Sequence, residues 1–231
     1  MKVEIWSDVV CPWCYIGKRR FEQALARFPH PVEVEWKSFE LDPHAVAATA
    51  TAGSYAERLA AKYGRTVPQA QQMLDDMTET AAAEGLDFHF DKAQAGSTFD
   101  AHRLLHLARE RGVQDAVKER LVRAYFTEGV AVHDHEALVE VVAEAGLDAA
   151  EARAVLAGDR YAAEVRHDVA EAGELGISGV PFFVIDRRYG VSGAQSPDAL
   201  LGALQQAWES QSPLTLVQGD GVACEGDACA V

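Results

Sequence analysis

The sequence predicts an α/β protein in which a β-α-β opening and a β-β-α close bracket a long helical block. Three observations carry this. Segments 2–6 and 32–38 alternate polar and apolar residues, with a helical stripe between them. From Tyr55 to Leu175 apolar residues recur at helical spacing, broken by glycines. Segments 180–186 and 189–193 then read as a β-hairpin turning at Arg187-Arg188, and Ser196-Pro197-Asp198 opens a last helix reaching about Trp208.

The first strand, Lys-Val-Glu-Ile-Trp at 2–6, has the pattern of a half-buried strand. Next, Cys14, Phe21, Leu25 and Phe28 fall on one helical stripe, with Lys18, Arg19, Arg20 and Glu22 mostly outside it. Pro29-His30-Pro31 makes the turn into the second strand, where Val32, Val34 and Trp36 alternate with Glu33, Glu35 and Lys37. So compact a β-α-β unit implies a right-handed crossover and parallel strands. The helical block divides into 55–63, 68–84, 98–111, 114–126, 135–145, 149–156 and 161–175. Gly64, Gly85, Gly112, Gly129, Gly146 and Gly158 stand where helix ends call for a left-handed residue. Segment 47–53 is weakly specified, and after Gln211 a polar, Gly/Asp-rich run is expected to form a mobile tail.

The chemistry-bearing motif is Cys11-Pro12-Trp13-Cys14, directly after the first strand and at the mouth of the first helix. There the unpaired N–H groups of the first turn and the positive end of the dipole favour a thiolate. A thiol so placed can fall well below its free pKa of about 8.5 and become a nucleophile near neutral pH. Cys11, the outer sulfur, is expected to attack. Cys14, one turn in and on the core stripe, is expected to be the buried resolving thiol. The plain alternative, two helix-end cysteines that only pack, is disfavoured by this spacing and this strand-to-helix context.

A chain of 231 residues can bury a sizeable core, as one large domain or two small ones. Its 48% hydrophobic and 25% charged residues are ordinary for a globular protein. A net charge of −15 without a basic run makes nucleic acid and anionic membrane poor partners. No stretch approaches the ~20 apolar residues of a membrane span. The first residues show no basic-then-apolar leader, so a cytoplasmic location is expected. In a reducing compartment a Cys-x-x-Cys pair is catalytic or metal-binding more often than a structural staple.

Further segments carry a resemblance. They are 7–17 around the cysteines, Phe39-Glu40-Leu41-Asp42-Pro43, Thr98-Phe99-Asp100-Ala101-His102-Arg103-Leu104, Ala124-Tyr125-Phe126-Thr127-Glu128-Gly129, Gly179-Val180-Pro181-Phe182-Phe183-Val184 and Ser192-Gly193-Ala194-Gln195. With the element order, they make the chain resemble a thioredoxin fold with an inserted all-helical domain. It is similar to the DsbA-like dithiol-disulfide oxidoreductases, and within them to the FrnE-type members described as polyketide-biosynthesis dithiol-disulfide isomerases. The resemblance spans about residues 3–208. It implies a thioredoxin-like domain from 1–52 and 157–210, an inserted helical domain at 53–156 and a flexible tail at 211–231.

By that resemblance Pro181 is a cis-proline facing the cysteines. It exposes the Val180 backbone so that an extended substrate segment can pair there. Pro12, Trp13, Val180 and His102 would border substrate, with Arg103 as a weaker candidate. Two departures matter. Ser97 stands where relatives usually carry Asn, and can still cap a helix. The Pro12-Trp13 dipeptide lacks the His of strongly oxidising relatives, which implies a milder oxidant.

The implied activity is thiol-disulfide exchange, oxidoreductase or isomerase, on protein or small-molecule thiols and disulfides. It needs no cofactor beyond the redox-active cysteine pair, with glutathione or a thioredoxin-type reductant as co-substrate. Two other readings stand beside it. One is a kappa-class glutathione-using isomerase or transferase, which generally carries Ser at the position of Cys11. The other is a holdase whose groove matters more than its redox chemistry. Cys224 and Cys229 are either a second redox pair or two tail cysteines without function. His102 and His106, and His133 and His135, have metal-ligand spacing, but no adjoining Glu makes a His-Glu-x-x-His helix, so packing or capping is expected and no metal. Four cysteines on one zinc are disfavoured by the two hundred or so residues between the pairs.

Overall fold

A computed structural model of the chain describes residues 1–45 and 53–210. The tail with Cys224 and Cys229, and segment 47–53 apart from Gly53, lie outside the described residues. The opening unit is strand β1 (Lys2–Ser7), helix α1 (Pro12–Leu25) and strand β2 (Glu33–Ser38). The helical block is α2 (Tyr55–Tyr63), α3 (Val67–Ala83), α4 (Phe99–Glu110), α5 (Gln114–Arg123), α6 (His135–Glu144), α7 (Ala149–Ala157) and α8 (Ala162–Glu174). Strands β3 (Phe182–Ile185) and β4 (Tyr189–Ser192) and helix α9 (Pro197–Glu209) close the chain. No helix among the described residues is long and apolar enough to cross a membrane.

The four strands lie in the order β2-β1-β3-β4. β1 and β2 run parallel from Lys2↔Glu33 to Ser7↔Ser38, as the short crossover requires. β3 is antiparallel to β1 and forms the hairpin with β4. Its loop, 186–188, is one residue longer than the sequence suggests. Asp186 and Arg187 take positive φ values, 47° and 56°, and the Arg188 N–H closes the turn on the Ile185 carbonyl at 3.0 Å.

One face of the sheet meets α1 and α9: Val3, Ile5, Phe183 and Ile185 pack on Phe21, Ala24, Leu200 and Leu204. Each large side chain buried here contributes roughly 1.5–3 kcal/mol. The other face is not open, contrary to the half-buried pattern of β1 and β2. Glu4, Glu35 and Lys37 are all buried. Helix α8 brings Asp168 and Glu171 to Lys37, while Arg187 pairs with Glu4 and Arg109 with Glu35. The polar alternation is therefore read against charge partners rather than water. Lys18 departs in the same way, being buried on α1 with Glu22, Asp115 and Glu119 as partners.

Strand β2 is a sheet edge, and side chains seal it. Gln114 accepts the Trp36 N–H at 3.0 Å and donates to the Trp36 carbonyl at 2.8 Å. Asp168 accepts the Ser38 N–H at 2.9 Å. An edge so occupied cannot template further pairing.

Within the helical block the main difference from expectation lies at 124–128. The helix expected over 114–126 ends at Arg123 and passes into a π-helical turn, Ala124–Glu128, closed by Gly129 at φ 75°. A Cβ on Gly129 would come within 2.5 Å of the Lys92 Cβ, so both conformation and space require glycine. Gly158 is extended rather than left-handed, because Arg103 donates to its carbonyl and to those of Val155 and Arg160, closing the end of α7 from outside.

Candidate active site

Cys11 is the N-cap of α1, with Pro12 in the first turn, where its missing N–H costs nothing. The Cys14 backbone N–H donates to Cys11 Sγ at 3.3 Å, and the Cys11 carbonyl accepts from Cys14 at 3.0 Å and Tyr15 at 3.4 Å. From the far end of the chain, the loop before β3 meets this turn. The Val180–Pro181 bond is cis, and the Val180 carbonyl lies 3.5 Å from Cys11 Sγ. Gly17 makes room for the loop: a Cβ there would stand 2.8 Å from Pro181 Cγ. Trp13 remains 43% exposed beside the pair.

The sulfurs are not divided into an outer and an inner one as the sequence suggests. Cys11 is 3% exposed and Cys14 1%. Burial pushes both thiols up. For Cys14 this is outweighed by the Cys11 thiol, the Lys118 ammonium, Ser7 and the Asp8 backbone, and its pKa falls below the ordinary value. For Cys11, burial is reinforced by the hydrogen bond to Cys14 and by Cys14's charge, and its pKa stands well above. The two titrate as one acid that yields its first proton readily and its second with difficulty. The expectation of an exposed Cys11 beside a buried Cys14 is thus corrected for this closed geometry, in which both are covered. A helix mouth lowers a pKa only where burial does not overrule it.

The ground beneath the pair is polar and sealed. Asp8, in the loop between β1 and α1, accepts the Leu41 N–H at 2.8 Å through Oδ2 and meets His102 Nε2 at 3.3 Å through Oδ1. Burial raises the Asp8 carboxyl, but His102 and the Leu41 N–H hold it below the usual carboxylate range. His102, expected at the substrate face, is instead buried, because α4 turns it inward with Leu105 and His106. Arg103 is corrected likewise, being the clamp on the end of α7. His106 meets Asp168 at 3.1 Å and Ser38 Oγ at 3.2 Å, both through Nε2, so the three form no nucleophile–base–carboxylate relay. The histidine pairs do not converge: His102 and His106 have different partners, His135 meets Asp100 at 2.8 Å, and His133 packs on Gly96. Ser97 accepts the Phe99 N–H at 3.2 Å at the start of α4.

Four neighbours of the dithiol were given no role by sequence reasoning: Ser7, Asp8, Lys118 and Tyr55. Burial and the nearby Cys11 push the Tyr55 hydroxyl up to about 12. Lys118 is a lysine on the apolar face of α5, in phase with Leu121 and Val122, and that misplacement was the signal available.

The sequence profile of the DSBA-like thioredoxin domain matches residues 2–205. The crystal structure of a probable DsbA oxidoreductase from Streptomyces coelicolor is 52% identical and superposes with a TM-score of 0.88, covering 100% of this chain and 99% of that one. The uncharacterised Bacillus subtilis protein YwbO is 28% identical over 186 residues, 79% of this chain and 86% of YwbO. The fold is shared with the cytosolic disulfide reductase DsbM of Pseudomonas aeruginosa, solved with glutathione, at 20% identity, a TM-score of 0.63 and coverage of 90% and 100%. With this profile matched over residues 2–205, a four-stranded sheet of this order and Cys11 capping the first helix, the chain belongs to the DSBA-like thioredoxin family.

Proposed function

We propose that the chain is a thiol-disulfide oxidoreductase, with isomerase capacity, working through Cys11 and Cys14. The observation that supports this most is the contact between Cys11 Sγ and the carbonyl preceding Pro181. It sets the reacting sulfur beside a backbone edge where an extended substrate can pair. Cys11 attacks because its Sγ faces that edge at the Val180 carbonyl. On encounter the shared proton moves to Cys14, and the Cys11 thiolate attacks a substrate disulfide. A Cys11–substrate bond forms, the substrate S–S bond breaks, and one thiolate leaves. Cys14 then loses its proton to solvent and attacks Cys11 Sγ, forming the intramolecular disulfide and releasing the second thiolate. Two electrons pass to the substrate; the reverse sequence oxidises a dithiol.

The exposed Trp13 and the Pro12 ring border the approach. We assign protein or small-molecule disulfides as substrates, with glutathione as a co-substrate, in line with the glutathione-bound structural neighbour. We read the setting as reducing and cytoplasmic, where a Cys-x-x-Cys pair works as a catalyst rather than as a staple. We further read 53–156 as an insertion into the thioredoxin-like scaffold. The test is trapping. Cys14→Ser incubated with glutathione disulfide should accumulate a mixed disulfide on Cys11, and Cys11→Ser should neither trap nor turn over. Parental turnover in Cys11→Ser would overturn the proposal.

A further inference from the structure

Three lysines are buried among the described residues, and they are not alike. Lys18 has three carboxylate partners, Glu22, Asp115 and Glu119. Lys37 also has three, Glu35, Asp168 and Glu171. Lys118, 1% exposed, has no carboxylate within ion-pair distance among the described residues. Its ammonium lies 5.5 Å from the centroid of the Trp36 ring, a contact that tolerates a cation but does not neutralise it. An ammonium sealed without an anion is costly to keep, and ordinary packing would favour Leu or Met at this position of α5.

The charges that act on this buried ammonium are chiefly those of the dithiol loop. Its strongest favourable partner is Cys14, followed by Asp8 and Cys11, with Lys18 opposing. Asp8 is already engaged by His102 of α4 and the Leu41 N–H. Tyr125 of the π-helical turn also feels the Asp8 charge. A second group awaits an anion at the same sulfur: the Ser7 hydroxyl is buried with no hydrogen-bond partner and favours the charged form of Cys14. An ammonium without a carboxylate and a hydroxyl without an acceptor converge on one thiol.

We propose that Lys118 is a positioning residue, the built-in counter-cation of the reduced cysteine pair, which completes its charge balance only when the Cys11–Cys14 bond is broken. This rests on the oxidoreductase reading and adds what sets its poise. Disulfide plus two glutathione thiols gives one cysteine thiol, one cysteine thiolate, glutathione disulfide and one proton to solvent. The protein gains two electrons, its S–S bond breaks and one forms in glutathione. Lys118 stabilises the product side alone, because the disulfide carries no charge for it to meet. By linkage its own acidity follows the redox state: without the thiolate, Asp8 alone of these partners opposes burial, and the ammonium loses its proton more easily.

The test compares the parent with Lys118→Met, which keeps the length and removes the charge. The reduced proteins are titrated by ultraviolet thiolate absorbance and equilibrated with glutathione buffers. The first thiol pKa should rise by about one unit or more in the variant, and the equilibrium should move about tenfold toward the disulfide. Superimposable titrations would overturn the proposal, whatever the variant does to melting temperature. Should Lys118→Met not fold, selective lysine NMR on the parent decides. The Lys118 ammonium should titrate at lower pH in the oxidised than in the reduced protein, and equal values would overturn the assignment. Neither titration needs turnover, so a failed oxidoreductase reading appears separately, as no trapping in Cys14→Ser.

Discussion

Asp8 and His102 join the dithiol loop to the helical block from within: Oδ1 and Nε2 lie 3.3 Å apart, and each side chain is 1% exposed. A carboxylate so deep keeps its charge through its partners, first the imidazole, then the Leu41 N–H and the Lys118 charge.

His102→Leu should therefore destabilise the protein by on the order of 3 kcal/mol at neutral pH, by stranding a buried charge. The Asp8 pKa is depressed on folding, so its stabilising contribution is present above the unfolded carboxylate value and is lost as pH falls through the folded one. Without His102, burial dominates and that pKa rises, so the variant's deficit should shrink on mild acidification. Urea unfolding of both proteins across pH reads this directly. A deficit independent of pH would mean that His102 acts by packing alone.

Gly17→Ala places a methyl 2.8 Å from Pro181 Cγ, with Ala194 Cβ on its other side at 3.4 Å. Overpacking of this kind costs roughly 1–3 kcal/mol. The strain falls on the loop beside Cys11, so glutathione-disulfide turnover should drop more steeply than melting temperature. Parental kinetics at a reduced melting temperature would show that the loop yields without disturbing the sulfurs.

Gln114→Ala removes both partners of the Trp36 backbone at the edge of the sheet. Two buried main-chain groups left unmet should cost roughly 2–4 kcal/mol together. The opened edge should also promote aggregation on heating. Gln114→Glu, which accepts but cannot donate, should fall between. Calorimetry and light scattering report the two effects, and an unchanged melting temperature would mean that solvent replaces the amide.

Asp168 ties β2 to α4 and α8. Burial raises its carboxyl, but His106, Lys37 and the Ser38 N–H outweigh it and hold the pKa at about 2. Because the folded value lies below the unfolded one, the stabilisation is full above about pH 4 and vanishes as pH falls through about 2. Asp168→Asn should lose about 2 kcal/mol at pH 7 and approach the parent near pH 2. Denaturant midpoints at the two pH values suffice. Equal losses at both would assign the effect to geometry rather than charge.

The sequence by itself determined the local order: which segments are strands and helices, where caps and turns stop them, and that a cysteine pair starts the first helix. These follow from side-chain period, capping residues and turn chemistry, interactions spanning a few residues, so Tyr55–Tyr63 and the Ser196 cap read correctly from the chain alone. Tertiary structure alone decided what each polar group meets. That Cys11 is covered, that His102 turns to Asp8, and that Glu4, Glu35 and Lys37 are buried among partners depend on contacts between residues far apart in sequence. Lys118 shows the limit: its place on the apolar face of α5 could be read from the pattern, but the thiol that acts on it lies a hundred residues away and is brought there only by packing.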